Sequence, residues 1–127
     1  MPDQLAIDLV EAFDALFGVH LGLRAAHANG TCCAATFTAT PEAALLTLAP
    51  HMQGPPTPAT VRFSHGSGDP DAKDAGREPR GMAVKFHLGG RAQTDIVSIN
   101  QPVFITRTPE EFLEFVRLRT PDPATGQ

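Results

Sequence analysis

Two short runs of period-two alternation constrain this chain more than any other feature of its sequence. Val61-Arg62-Phe63-Ser64 and Met82-Ala83-Val84-Lys85-Phe86-His87-Leu88 alternate in the manner of strands that bury one face. Between them, positions 65 to 81 are rich in Gly, Pro, Asp and Lys, which a strand or helix does not tolerate. The two runs therefore belong to one sheet and enclose a long irregular loop. Such loops inside a compact domain are usually functional or disordered, so a site is expected beside this one.

The rest of the chain supplies elements to pack with that sheet. Leu5, Leu9, Phe13 and Leu16, with Ile7, Val10 and Phe17 between them, form a helical stripe that Gly18 stops. Residues 23–30 are too few for a second helix and lead into a strand over Cys32 to Thr40. Thr40 as N-cap and Pro41 at the first helical position predict one or two turns over Pro41 to Pro50, followed by a proline-rich connector from Gln53 to Pro58. Further strands are expected over Thr60 to Ser64, Met82 to Leu88 and Thr94 to Ile105, the last two joined at Gly89-Gly90-Arg91 and the last bent by Pro102. Thr108-Pro109-Glu110-Glu111 is a capping box that opens a helix with Phe112, Phe115 and Val116 on its apolar face. Thr120 to Gln127 reads as a connector. The order helix, four strands, helix predicts an α+β fold with an antiparallel sheet.

Composition narrows the function classes. A chain of 127 residues, 42% hydrophobic, suits one small domain. Its net charge is −4 and its ten Lys and Arg are scattered, which argues against a nucleic-acid or anionic-membrane partner. Asp8, Glu11 and Asp14 within the first helix rule that stretch out as a signal or membrane segment, so a cytoplasmic protein is expected. Cys32 and Cys33 are adjacent, a spacing that disfavours a mutual disulfide.

Several residues carry chemistry. His27 stands where the chain enters the sheet, and Arg24 precedes it by one helical turn's spacing among Leu23, Ala25 and Ala26. Arg62 lies inside a strand. Both guanidinium groups are expected to be buried, and buried guanidinium groups require anionic partners. Those partners are either a carboxylate-bearing ligand, with the imidazole handling a proton, or the loop acids Asp69, Asp71, Asp74 and Glu78. Ser64 shares the Arg62 face, where its hydroxyl either fixes an imidazole tautomer or simply ends the strand. No GxSxG, CxxC, HExxH or phosphate-binding glycine loop is present, and His20 and His27 have the wrong spacing for a metal pair.

Taken in order, Arg24-Ala25-Ala26-His27-Ala28-Asn29-Gly30, Val61-Arg62-Phe63-Ser64, Arg77-Glu78-Pro79-Arg80-Gly81-Met82-Ala83-Val84-Lys85-Phe86 and Asp95-Ile96-Val97-Ser98-Ile99-Asn100-Gln101-Pro102-Val103-Phe104 resemble the haem catalases. With Leu16-Phe17-Gly18-Val19-His20 before them and Arg107-Thr108-Pro109-Glu110-Glu111-Phe112 after, the chain is more similar still to the small catalase-related peroxidases. The resemblance implies part of an antiparallel catalase-type β-barrel, incomplete, with residues 1–127 as the N-terminal part of a single haem-binding domain. It makes His27 the distal histidine, which moves a proton between the peroxide oxygens, and Ser64 the hydroxyl that orients it. It makes Arg24 and Arg62 propionate ligands, and Phe104 and Phe112 aromatic residues on the distal side of the haem. Haem b is the implied cofactor, with a peroxide and a small electron donor as substrates.

The departures carry information too. The catalase asparagine that helps to position peroxide falls on Ile99, and Asn100 would face the other way on a continuous strand. Glu78 stands in place of the access-channel aspartate. Thr31-Cys32-Cys33-Ala34 replaces a glycine-rich run. The family's iron ligand is a tyrosinate, yet this sequence contains no tyrosine. Either the chain is part of a longer protein or another residue ligates iron. A haem-dependent peroxidase acting on hydrogen peroxide or organic hydroperoxides is the leading expectation. A true catalase and a haem-free, non-catalytic fragment are its rivals.

Overall fold

The computed structural model of the chain describes residues 3–122 and 125. The expected order of elements is observed: α1 (Gln4–Phe17), β1 (Gly30–Phe37), β2 (Thr57–His65), β3 (Arg80–His87), β4 (Gln93–Ile99) and α2 (Pro109–Leu118), with short 3-10 turns at Pro41–Leu45 and Pro50–Met52. The strands form one antiparallel sheet in the order β1-β2-β3-β4, not closed into a barrel, and the α+β expectation holds.

Local chemistry explains where the helices begin and end. Asp3 caps α1 by accepting from the Leu5 N–H, and the helix stops at Gly18, whose φ of 84° suits glycine. Thr108 caps α2 by accepting from the Glu111 N–H, while the Glu111 carboxylate reaches back to the Arg107 N–H at 2.8 Å. That is the capping box displaced by one residue at its return bond. Thr40 differs from expectation: its hydroxyl makes no capping bond to the backbone of the 3-10 turn. The Glu42 carboxyl is held below its usual range by its own backbone N–H and by Thr40.

The last strand is shorter than the alternation predicts. β4 ends at Ile99, three residues before Pro102, so Phe104 lies in a loop and not on a strand. Proline removes a ladder donor, and the chain leaves the sheet before reaching it. The connector expected over Thr120 to Gln127 falls in part outside the described residues.

The chain gathers into two compact units. The first takes in the N-terminal segment to Asn29, His65–Pro79 and the segment from Asn100 onward; the second is Gly30–Ser64 with Arg80–Ile99. In the first unit α1 packs on α2 around buried Ala12, Leu113 and Val116, flanked by Leu5, Leu9, Phe13, Leu16, Phe112 and Phe115. In the second, Phe86 is 2% exposed and stacks on His51 at 4.1 Å between ring centroids, with Phe37 edge-on at 5.0 Å. Ala59 is buried on the same face of the sheet as Phe37. Aromatic packing of this kind contributes beyond the area it buries.

Candidate functional site

The packing of Phe37 and Phe86 leaves the opposite face of the second unit's sheet available. Register pairs Gly30 with Ser64, Cys32 with Arg62 and Ala34 with Thr60, which sets all six on that face. Gly81 pairs with Ile99 and Ala83 with Val97, and alternation from Phe86 places these four on it as well. A 2.9 Å contact between Thr60 Oγ1 and His87 Nε2 agrees with this assignment. The face therefore carries small and apolar residues beside the Arg62 guanidinium and the Ser64 hydroxyl, together with the Lys85–Asp95 ion pair, His87 and Gln93. Arg62 is half-buried and folds across the β1 backbone: a Cβ added at Gly30 would stand 2.7 Å from its Cζ and 2.5 Å from the Phe63 carbonyl oxygen. Glycine is what lets the guanidinium lie there. Cys32 and Cys33 are free and exposed.

The first unit holds the other sequence-predicted residues. His27 is half-buried and is the one non-glycine among the described residues with positive φ, at 56°. A left-handed L-residue costs of order 1–2 kcal/mol and persists where surrounding contacts impose it. The residues that follow His27 are bonded to the loop after β2. The Ala28 N–H donates to Ser67 O at 3.2 Å, the His65 N–H to Asn29 O at 3.1 Å, and Asn29 Nδ2 to Ala72 O at 3.0 Å. Gly68 comes so close that an added Cβ would lie 2.6 Å from the Phe17 ring and would clash with the Ala25 carbonyl.

Arg24 is exposed, contrary to the burial expected from its apolar neighbours; the turn at residues 21–27 is irregular and turns its side chain to solvent. Phe104 and Phe112 do come together, 5.3 Å between ring centroids, and Phe112 also meets Phe13 at 5.9 Å. Phe104 remains 54% exposed on its loop. Two buried histidines escaped the sequence reading. His51 is the stacking partner of Phe86, and His65 is buried with Nε2 at 2.8 Å from Asp74 Oδ1. The signal for His65 was present, because Val61, Phe63 and His65 share one period-two face.

Among the described residues, no group of three or more His, Cys, Asp or Glu could hold a metal ion. On the sheet face Arg62 is a cation of the kind that pairs with a carboxylate.

The chain belongs to the catalase family, whose model, described as Catalase, matches residues 2–127. It is 41% identical over 124 residues to a catalase-related peroxidase of Mycolicibacterium paratuberculosis, covering 98% of this chain and 38% of that protein. With a catalase-related peroxidase of Synechococcus elongatus it shares 36% identity over 126 residues, 99% of this chain and 36% of the relative. A catalase of Methanosarcina barkeri is 36% identical over 105 residues, 81% of this chain and 21% of that catalase. The chain thus spans less than two-fifths of the length of these curated relatives.

Proposed function

We propose that this chain forms the distal side of a haem-dependent peroxidase that reduces hydrogen peroxide or organic hydroperoxides with a small electron donor. The single observation that carries the reading is His27, an imidazole held in a strained backbone conformation by a dedicated network in a chain of the catalase family. When bound, haem supplies the two electrons that break the O–O bond and that the reductant restores. His27 takes the proton from one peroxide oxygen and returns it to the other, so that the departing oxygen leaves as water or an alcohol. Arg62 meets an anionic propionate at one end of the sheet face. Ser64, on the same face, contributes a hydroxyl for orienting polar groups. Arg24, open to solvent on the His27 segment, is a second cation for a propionate, and Phe104 with Phe112 forms an aromatic wall in the first unit. The proximal ligand is no tyrosine of these 127 residues, since the sequence has none.

Ile99 favours a peroxidase over a true catalase. It is half-buried at the end of β4 and lies on the Arg62 face, where an apolar side chain offers peroxide no hydrogen bond. Asn100 follows the last strand residue, so strand alternation no longer fixes its direction. The full-length, haem-loaded protein is expected to oxidise a phenolic donor faster than it releases oxygen, and Ile99→Asn to shift the balance toward oxygen by about tenfold at most, the scale of one net hydrogen bond. Stopped-flow donor oxidation set beside an oxygen electrode measures both. Catalase-level oxygen release from the Ile99 protein would reverse the assignment, and the absence of a Soret band would support the haem-free alternative.

A further inference from the structure

We propose that His65 and Asp74 form a latch that positions His27, by holding the 65–79 loop against the Arg24–Asn29 segment. The inference rests on the reading of His27 as the acid–base group and extends it to two residues with no assigned role.

The residues that follow His27 are tied to the 65–79 loop. Three hydrogen bonds join them: Ala28 N–H to Ser67 O, Asn29 O from His65 N–H, and Asn29 Nδ2 to Ala72 O. The strained φ of His27 is therefore braced by that loop. A loop of this length pays a large entropy to stay in one place. Gly66 N–H donates to Pro79 O at 2.8 Å at the base, and the 69–76 stretch forms short turns, Ala72 N–H to Asp69 O and Gly76 N–H to Lys73 O. A side-chain tie spans it from His65 Nε2 to Asp74 Oδ1, 2.8 Å.

The chemistry of that pair supports a fastening role. A carboxylate can only accept, so Nε2 carries the proton. The other ring nitrogen, Nδ1, is a buried polar atom with no hydrogen-bond partner among the described residues. An apolar side chain would fill the same buried position without desolvating a polar atom. What the imidazole adds is the bond to Asp74, whose side chain is otherwise fully exposed. His65 thus anchors in the interior and catches the loop from its solvent edge. Its own backbone N–H binds Asn29, so one residue grips both the loop and the His27 segment.

The test is backbone amide hydrogen exchange in the full-length protein. His65→Ala and Asp74→Ala are each expected to speed exchange at Ala28 by tenfold or more while Val116 in α2 keeps its protection. His65→Gln, which retains a donor, and Asp74→Asn, which retains an acceptor, are expected to stay within about threefold of wild type. The double alanine variant is expected to match either single one, as for two halves of one contact. In the haem-loaded protein, peroxide cleavage is expected to slow in the alanine variants and recover in the conservative ones. Wild-type exchange at Ala28 in both alanine variants overturns the latch, and so does a uniform loss of protection that includes Val116. Faster exchange at Ala28 with unchanged peroxide cleavage overturns the positioning role if His27→Ala is itself inactive. If His27→Ala is fully active, the acid–base reading fails while the exchange result still reports the latch.

Discussion

At the scale of single residues, His27 combines a chemical identity that the sequence displays with a conformation that it does not. The motif from Arg24 to Gly30 singles out the imidazole, but its φ of 56° stands beside Ala28 and Asn29, which bonds from Ser67, Ala72 and His65 hold. No local pattern announces those bonds. The strain itself is measurable, because glycine enters the left-handed region without the penalty an L-side chain meets. His27→Gly is therefore expected to be more stable than His27→Ala by about 1 kcal/mol, as read from urea unfolding of the two variants side by side. Equal stability, or a more stable alanine variant, would mean that the left-handed conformation is absent in solution. Arg24 and His65 show the limit of reading residue by residue. Apolar neighbours suggested burial for Arg24, yet it is exposed, and His65, whose alternation with Val61 and Phe63 is easily passed over, is buried. Burial is decided by what packs over a residue, which its sequence neighbours do not show.

At the scale of elements, strong local signals were reliable. The stripe of α1, the capping box of α2 and the two runs that became β2 and β3 all appear where the sequence put them, within a few residues. Strand ends were less legible, since alternation continues past the point where hydrogen bonding stops. β4 closes at Ile99 although the apolar pattern runs to Ile105, and Pro102 makes a return to the ladder unfavourable. The sheet's inner packing was hidden in another way: the partner of Phe86 is His51, carried on a short 3-10 turn between the helical turns and the connector that the sequence suggests. Phe86 is consequently the residue on which that side of the sheet depends. Phe86→Ala is expected to cost about 3–5 kcal/mol of stability, the range for removing a buried aromatic ring. A loss below about 1 kcal/mol in thermal or urea unfolding would show that the His51 and Phe37 contacts are not formed.

At the scale of the whole molecule, the first unit holds a strained imidazole and the second a sheet face that carries an arginine, in a chain of the catalase family. The family and the fold class were legible because the motifs are local phrases of sequence. A tyrosine that could ligate iron was not, because none exists among the 127 residues. No helix among the described residues is long and apolar enough to cross a membrane. The chain covers 38% of the length of one catalase-related peroxidase and 36% of another, so chemistry is best tested in the full-length, haem-loaded protein. The central claim is that His27 moves the proton that lets the O–O bond break, and it is tested most directly by rapid mixing of that protein with hydrogen peroxide. His27→Ala is expected to slow peroxide cleavage by about 10²-fold or more, the scale of a lost general acid–base group, while haem content measured by the Soret band stays near wild type. Unaltered peroxide kinetics in a haem-replete His27→Ala variant would contradict the account.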